Sequence, residues 1–472
     1  MRTLKGFLLG MALMAPPAVA QPLRPDQQAF RALYAELVET DTTLSNGDCT
    51  LAASRMAQRL RAAGLPEENL VPFSVPEHPK EGGLVASLPG SAPGLKPILL
   101  LAHIDVVEAK REDWVRDPFK LVEEDGYFYA RGAYDDKAQA AIWVDLMVRY
   151  LVEKHRPKRG IKIALTCGEE TTWAFNGAEW LAKNRRDLID AEFALNEGGG
   201  GRTDGKGIVD GGRLVAQTIQ VGEKAVQNFR LEAISPGGHS MMPVSDNAAY
   251  RLAEAMLKLR DHDFPLEFNP TTRSFFEKAG KARGGLVGEA MQAIAVDADN
   301  VSARSVIDHE PMMRAMLRTT CVVTLVEAGH ANNALPQRAA ANVNCRILPG
   351  HNAEEVQTEL AHVIADPMVN VSTVAPVWPA GRMPPLDTRI VDAAEEVGRK
   401  YFPGVPIIPA MTIGATDAIF LNAVDIPTYG APGLWANPDG NGLHGLNEQI
   451  EAKSLFIGRD YLQDFVRLLT SR

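Results

Sequence analysis

Acidic and histidine side chains follow short apolar runs at several places along the chain. The run 98–102 leads directly into His103 and Asp105, and a later run leads into the paired acids Glu169 and Glu170. A histidine with a nearby carboxylate suits a metal ligand whose ring is held in place. One of two paired acids can bind metal while the other takes a proton from water. Each motif alone is weak evidence, because a lone histidine is more often structural.

Three further motifs carry the same residue types. Asp135 and Asp136 stand where a helix is predicted to start, so they could also serve only as a helix cap. Glu197 ends another apolar run, and the glycines after it lack the spacing of a nucleotide-binding loop. His444 follows a late apolar run. Open α/β sheets place ligands at the carboxyl ends of their strands. Two imidazoles with several carboxylates at such an edge suit zinc, and a bridging acid suits a dinuclear site.

The elements that must position these motifs are short buried strands separated by helices. Such a pattern is typical of a parallel α/β sheet covered on both faces. The predicted strands cover 98–102, 161–166, 191–195 and 427–429. The predicted helices cover 27–39, 51–63, 136–151 and 173–183.

The pattern changes after Gly212 and predicts a second, smaller domain of α+β type. From 217 to 375 the expected order is strand, helix, strand, strand, helix, strand. The predicted helices cover 248–259 and 352–365, and the last three strands cover 321–327, 340–347 and 369–375. The stretch 262–310 is expected to be irregular. We therefore expect an insertion over 217–375 in a larger domain formed by 21–216 and 376–472.

Composition excludes several classes of protein. The 472 residues are 46% hydrophobic and 23% charged, which is ordinary for a globular chain and excludes a disordered or fibrous one. The net charge of −10 argues against a nucleic-acid or anionic-lipid partner. Four cysteines are too few for a disulfide framework. Cys321 and Cys345 could face each other across a hairpin. For Cys167 we favour a buried core thiol over a metal ligand.

The first twenty residues have the features of a secretory signal peptide. Arg2 and Lys5 precede the apolar run 7–14, and an Ala-Val-Ala exit ends at Ala20. Cleavage is expected near Ala20 and Gln21, which would place the protein in the periplasm or outside the cell. No later segment suggests a membrane span, so no membrane partner is expected.

In this order, the five motifs resemble those of the dinuclear zinc hydrolases that include aminoacylases, carboxypeptidases G and S, succinyl-diaminopimelate desuccinylase and carnosine-type dipeptidases. The resemblance covers nearly the whole chain after residue 20. It implies a zinc-peptidase-like catalytic domain with a central, mostly parallel sheet and an inserted α+β lid of the dimerisation type. It also implies two Zn²⁺ ions, although the same ligands could hold Mn²⁺ or Co²⁺.

The resemblance assigns a role to each residue of the five motifs. The metal ligands would be His103, Asp135, Glu170, Glu197 and His444. Asp135 would bridge the two ions, Glu169 would be the general base, and Asp105 would orient the ring of His103. Asp136 matches no ligand and is expected to be structural.

Four residues outside these motifs match substrate-contacting positions of the family. His239, within Pro-Gly-Gly-His-Ser, would donate to the oxyanion at the attacked carbonyl. Asn333 and Arg346 would hold the free carboxylate of the substrate. Gly414 would offer a backbone contact. The alternatives are a surface turn for His239 and an ion pair closing the lid sheet for Arg346.

The function implied is that of an exported zinc exopeptidase, a carboxypeptidase or dipeptidase, that hydrolyses an amide bond next to a free C-terminal carboxylate by metal-activated water. The alternative is an N-acyl-amino-acid amidohydrolase. A lidless aminopeptidase is disfavoured by the motifs around His239 and Asn333. A catalytically inactive metal scaffold is disfavoured because Glu169 is present. The substrate would be a small peptide or an N-acyl amino acid. A homodimer through the lid and a monomer with an enlarged lid both stay open.

Overall fold

The protein is described by a computed structural model that covers residues 22–171 and 175–471. The expected signal peptide over residues 1–20 therefore lies outside the described residues. None of the helices within the described ranges combines the length and the apolar character needed to cross a bilayer.

The helices and strands follow one another in three parts of the chain. The first part contains α1 (Pro25–Val38), α2 (Cys49–Ala62), β1 (Leu70–Val75), β2 (His78–Leu88), β3 (Ile98–His103), β4 (Val122–Glu124), β5 (Tyr127–Tyr129), α3 (Lys137–Val152), β6 (Ile161–Thr166), α4 (Gly177–Asn184), α5 (Arg186–Ile189), β7 (Ala194–Asn196), β8 (Gly200–Thr203) and β9 (Leu214–Glu223). The second contains β10 (Ala225–Ile234), β11 (Gly238–His239), α6 (Ala248–Asp261), α7 (Pro270–Arg283), α8 (Gly285–Val296), α9 (Val301–Asp308), α10 (Pro311–Met316), β12 (Thr320–Ala328), β13 (Ala334–Leu335), β14 (Arg338–Ile347), α11 (Ala353–Ile364) and β15 (Val369–Val374). The third contains α12 (Thr388–Tyr401), β16 (Ile407–Thr412), α13 (Ala418–Ala423), β17 (Thr428–Gly430), β18 (Trp435–Ala436), β19 (Gln449–Glu451) and α14 (Ala452–Ser471).

The larger domain is built on one ten-stranded sheet among the described residues. Its strand order is β1-β2-β6-β3-β7-β17-β9-β8-β18, and β16 pairs with β9 outside this path. The pairs β3–β6, β3–β7, β7–β17, β9–β16 and β8–β18 are parallel. The expected α/β class with a mostly parallel central sheet is confirmed.

Helices cover both faces of this sheet, as the near-continuous apolar strands predict. Every residue of β3 is buried. Leu100 packs in a core with α1, α3, α12 and α14. Leu99 and Leu101 point to the opposite face and pack with α4 and α13. Because successive side chains of a strand alternate between faces, only a doubly covered sheet can bury all of them.

The inserted domain is an antiparallel sheet with the strand order β12-β14-β10-β15. Helices α6 and α11 pack on it through Leu252 and Leu360. A separate two-stranded ribbon pairs β11 with β13.

The predicted start of this domain at residue 217 is too early. Strand β9 pairs in parallel with β16, with Gln217 opposite Ile407, and so belongs to the large sheet. The first strand of the inserted sheet is β10, which begins at Ala225. An apolar strand pattern does not reveal which sheet the strand joins, and this explains the error.

The stretch expected to be irregular, 262–310, is mostly helical. Helices α7 to α10 form their own core around Phe276, Ile294 and Ile307. The same core includes Met411 of β16, so this helical insertion packs on the larger domain. Here "helical insertion" means residues 270–316. The short helices are separated by turns such as Gly284-Gly285, which interrupt the periodic pattern that the prediction needed.

Both cysteine pairs form disulfides. Cys321 and Cys345 lie directly opposite each other on β12 and β14 and are bonded, which confirms that they face each other. The prediction of a free core thiol for Cys167 is wrong, because it is bonded to Cys49 at the start of α2. The two cysteines are 118 positions apart in the chain, so no local pattern predicts the pairing.

Candidate metal and catalytic site

The five motifs meet at one edge of the large sheet. His103 is the last residue of β3, Glu169 and Glu170 follow β6, and Glu197 follows β7. These three strands run parallel, so their carboxyl ends lie side by side. Asp135 approaches from the loop before α3. His444 approaches from the loop before β19.

Asp135 lies between the two imidazoles. Its Oδ1 is 3.1 Å from His103 Nε2, and its Oδ2 is 3.3 Å from His444 Nε2. Glu170 Oε1 is 3.0 Å from His444 Nε2. Glu197 Oε2 is 3.7 Å from His103 Nε2. Asp135 thus lies between the pair His103 and Glu197 and the pair His444 and Glu170, which suits two metal ions that share one carboxylate.

The residues of this cluster fit bound divalent cations. Ligand atoms of His103, Asp135 and Glu170, and those of His103, Glu169 and Glu197, lie within 4.8 Å of one another. Among the described residues no Lys or Arg forms an ion pair with these acids, and the buried Oε1 of Glu197 accepts no hydrogen bond. Burying several carboxylates without a cation is costly. Imidazole nitrogen with carboxylate oxygen suits Zn²⁺, Mn²⁺ and Co²⁺.

The pKa values of groups in the cluster are shifted by burial and by the closeness of several acids. Burial, followed by the charge of Glu197, raises the pKa of Glu169 well above its usual value. Hydrogen bonds that His444 donates to the carboxylates of Asp135 and Glu170 raise the pKa of His444 to about 10. A bound cation favours carboxylate and neutral imidazole, so metal binding here must release protons.

Asp105 contacts both His103 and the paired acids Glu169 and Glu170. Its carboxylate accepts hydrogen bonds from the backbone N–H groups of Glu169, at 3.3 Å, and Glu170, at 3.0 Å. His103 Nδ1 is 3.1 Å from the carbonyl oxygen of Asp105 and 3.6 Å from its carboxylate. A proton on Nδ1 leaves Nε2 free to bind metal.

Asp136 occupies the N-cap position of α3, but its side chain accepts no capping hydrogen bond. Its buried Oδ2 has no hydrogen-bond partner among the described residues. Helix capping therefore does not explain this acid.

Sequence reasoning missed Glu448, which fixes the loop that carries Asp135. One oxygen accepts from the backbone N–H groups of Tyr134 and Asp135, at 2.9 and 3.0 Å. The other accepts from the N–H of Gly132 and from Arg131 Nη1, each at 2.9 Å. The only sequence signal is an acid four residues after His444.

A second missed acid, Asp417, supports the loop before Glu169. It accepts hydrogen bonds from Asn176 Nδ2 at 2.7 Å and Thr166 Oγ1 at 3.1 Å. Asn176 also donates to the carbonyl of Gly168. Burial raises the pKa of Asp417 to about 7.

His239 and Asn333 lie at the two-stranded ribbon formed by β11 and β13. His239 is exposed, and its Nδ1 accepts a hydrogen bond from the N–H of Met241. The carbonyl of Asn333 accepts from the N–H of Ser240, so His239 and Asn333 share one ribbon. Within the described ranges, no hydrogen bond or ion pair links either residue to the metal ligands.

Arg346 lies half-buried on β14. It forms no ion pair with any described residue, so the alternative of an ion pair closing the lid sheet is wrong. Burial lowers the pKa of Arg346. Gly414 lies in the loop after β16, where its N–H donates to Thr412 Oγ1 at 3.3 Å.

The fold and the cluster agree with a family match. The model of peptidase family M20/M25/M40 matches residues 99–468. The chain belongs to this family. The family expected from the motifs is thereby confirmed, and so is the class of metal-dependent hydrolase.

This chain has relatives whose names state several different activities. It is 30% identical over 378 residues to "N-fatty-acyl-amino acid synthase/hydrolase PM20D1.1" of Danio rerio, covering 77% of this chain and 71% of that one. It is 27% identical over 376 residues to "Probable carboxypeptidase S-like 2" of Dictyostelium discoideum, covering 79% and 71%. In structure it resembles the M20 family metallo-carboxypeptidase Sso-CP2 of Sulfolobus solfataricus, with a TM-score of 0.70, 19% identity and coverage of 94% and 99%.

Proposed function

We propose that the protein is an exported, metal-dependent hydrolase that cleaves the amide bond next to a free C-terminal carboxylate, as a carboxypeptidase or dipeptidase does. The observation that carries this proposal is the position of Asp135. Its two oxygens face two imidazoles, within a cluster that also holds Glu169.

Two Zn²⁺ ions are the proposed cofactors, with Mn²⁺ or Co²⁺ as alternatives. One would be held by His103 and Glu197, the other by His444 and Glu170, with Asp135 shared. When bound, the ions supply positive charge that polarises the substrate carbonyl and makes water more acidic.

Glu169 is the proposed general base. Its carboxylate has no cationic side chain as partner among the described residues, and its backbone is held by Asp105. It would accept a proton from the attacking water and then donate that proton to the leaving amine nitrogen.

The inserted domain would supply the contacts to the substrate. A half-buried guanidinium without an ion pair, as on Arg346, suits a bidentate bond to a carboxylate. Asn333 would donate beside it, His239 would donate to the oxyanion, and Gly414 would offer its N–H. These groups can reach the substrate only if the inserted domain closes or if a second copy of the chain, joined through this domain, lends them.

An N-acyl-amino-acid hydrolase is the second candidate. It has the same chemistry, with a fatty or other acyl group in place of an amino-acid residue. The Danio rerio relative has a name of this kind. An apolar cavity lined by Gly198, the neighbour of Glu197, supports this candidate.

Export to the periplasm or the exterior is part of the proposal. It is supported by the signal-peptide pattern over residues 1–20. It is also supported by the two disulfides, which persist mainly in oxidising compartments. Mass spectrometry of the N-terminal peptide of the processed protein should show that it begins at Gln21, whereas retention of Met1 would contradict export.

The test of the proposed reaction uses the zinc-loaded protein from Gln21 onward. Amine release from free dipeptides, N-acyl amino acids and their C-amidated counterparts is followed by mass spectrometry. We expect cleavage only with a free carboxylate and loss of cleavage in Glu169→Gln, with the exposed Glu112→Gln as matched control. Cleavage of C-amidated substrates, or equal rates in Glu169→Gln and wild type, would contradict the proposal.

A further inference from the structure

An apolar cavity of about 550 Å³ lies between the helical insertion and the large sheet. Strands β9 and β16 form one wall, through residues such as Val215 and Ile408. Helices α7, α8 and α10 form the other, through residues such as Phe275, Met291 and Met316. Its volume is that of an ordinary small-molecule site.

We infer that this cavity binds the unbranched aliphatic acyl chain of an N-acyl amino acid. The inference rests on the proposed function, because it requires that the scissile amide lie at the metal-ligand cluster. It goes beyond that function by assigning the acyl side of the substrate to the helical insertion.

The lining of the cavity includes the chain neighbours of one cluster residue, Glu197, and of one proposed substrate contact, Gly414. Gly198, which follows the ligand Glu197, lines it. Gly198 also lines a more polar cavity of about 490 Å³, together with Tyr134, the neighbour of Asp135. Thr412 and Ile413, directly before Gly414, also line the apolar cavity. The apolar cavity therefore begins one residue from Glu197, on the side where the acyl group of a substrate bound at the cluster would lie.

The lining favours a flexible aliphatic chain. Five methionines contribute to it: Met291, Met312, Met313, Met316 and Met411. Methionine side chains are unbranched and adaptable, and they suit ligands without a fixed shape. Met312 and Val215, 51% and 45% exposed, lie among the lining residues, so the cavity is open to solvent and a longer chain can extend outward.

Inside this cavity the lining favours a neutral group over an ammonium group. No Asp or Glu lines either cavity, while the exposed cations Arg202 and Arg283 line the apolar one. An ammonium group entering here would lose water without gaining a partner. A neutral methylene chain gains from leaving water instead.

The test compares N-acyl derivatives of one amino acid, from acetyl through butanoyl and octanoyl to dodecanoyl, on the zinc-loaded enzyme. We expect kcat/KM to rise about fourfold for each methylene until the cavity is filled. Ala282, an exposed lining residue on α7, offers a variant that narrows the cavity without entering the core. In Ala282→Trp the ratio of octanoyl to acetyl kcat/KM should fall at least tenfold. In the matched control Lys281→Trp, which changes the exposed neighbour outside the cavity, that ratio should stay within twofold.

Binding to Glu169→Gln, measured by calorimetry, separates this inference from the proposed function. Affinity that rises with chain length and falls in Glu169→Gln/Ala282→Trp supports the cavity, even if no substrate is cleaved. Cleavage of free dipeptides combined with no dependence of binding on chain length overturns the inference and leaves the proposed function intact. A ratio of octanoyl to acetyl rates that is unchanged in Ala282→Trp overturns it as well.

Discussion

Replacing Glu448 by Gln should loosen the metal site without touching a metal ligand. The carboxylate is 1% exposed and receives two hydrogen bonds on each oxygen, from three backbone N–H groups and Arg131. In glutamine an amide NH₂ takes the place of one oxygen and faces two donors. Each buried donor left without an acceptor costs about 1–3 kcal/mol. We therefore expect a loss of about 4 kcal/mol in the free energy of unfolding, similar to the cost of removing one member of a buried ion pair, about 3–5 kcal/mol.

The effect should reach the metal through Asp135, whose N–H is one of the four donors. Loss of a contact that orients a metal ligand typically weakens metal binding about 10- to 100-fold. Zinc affinity is measured by competition with a chromophoric chelator, and stability by urea unfolding of the metal-free protein. Glu112→Gln, an exposed acid, is the control. If Glu448→Gln binds zinc within twofold of wild type and unfolds at the same urea concentration, Glu448 does not position Asp135.

Three other variants test separate parts of the account. Glu169→Gln should lower kcat by about 10²- to 10⁴-fold while zinc content, measured by mass spectrometry, stays unchanged; loss of zinc would mean that Glu169 is a ligand. Replacing Cys49 and Cys167 together by Ala opens a 118-residue loop and should cost about 4 kcal/mol in urea unfolding, whereas a stability equal to wild type would contradict the bond. Burial raises the pKa of Glu223 to about 8. Between about pH 5 and 8 the folded state therefore keeps a proton that Glu223 has already lost in the unfolded state, where its pKa is lower. The free energy of unfolding should fall as pH rises over this range. With chelator present, Glu223→Gln should lose less stability over that range than wild type, and parallel pH curves would refute this assignment.

The metal-ligand cluster was predictable because its signals are local. His103, the pair Glu169 and Glu170, and Glu197 each follow an apolar strand within a few residues. Parallel strands then bring their carboxyl ends to one edge of the sheet, so no knowledge of distant contacts was needed. The same reasoning gave the class and the central sheet of the fold.

The features that the sequence hid depend on contacts between distant segments. Glu448 binds a loop more than 300 residues earlier. Asp417 supports Gly168 through Asn176, again across a large separation. Cys49 lies far from its partner in the chain. The apolar pattern at residue 217 predicts a strand but not the strands with which it pairs. The predicted start of the inserted domain is therefore too early.

The helical insertion was missed for a different reason. Its four helices have 14, 12, 8 and 6 residues, and glycine and aspartate turns between them interrupt the periodic pattern. Their stability comes from packing around Phe276 and against Met411 rather than from a long amphipathic pattern. The positions of His239 and Arg346 relative to the cluster depend on how the inserted domain packs on the larger one, which involves contacts between distant segments.

The most direct test of the central claim is a zinc titration of the metal-free protein, with bound metal and amine release from an N-acyl amino acid measured in the same samples. We expect activity to reach its maximum at two zinc ions per chain. We also expect that Asp135→Ala neither holds two ions nor gains activity when zinc is added. Full activity in the metal-free protein, or wild-type activity and metal content in Asp135→Ala, would contradict a hydrolase built around a shared aspartate.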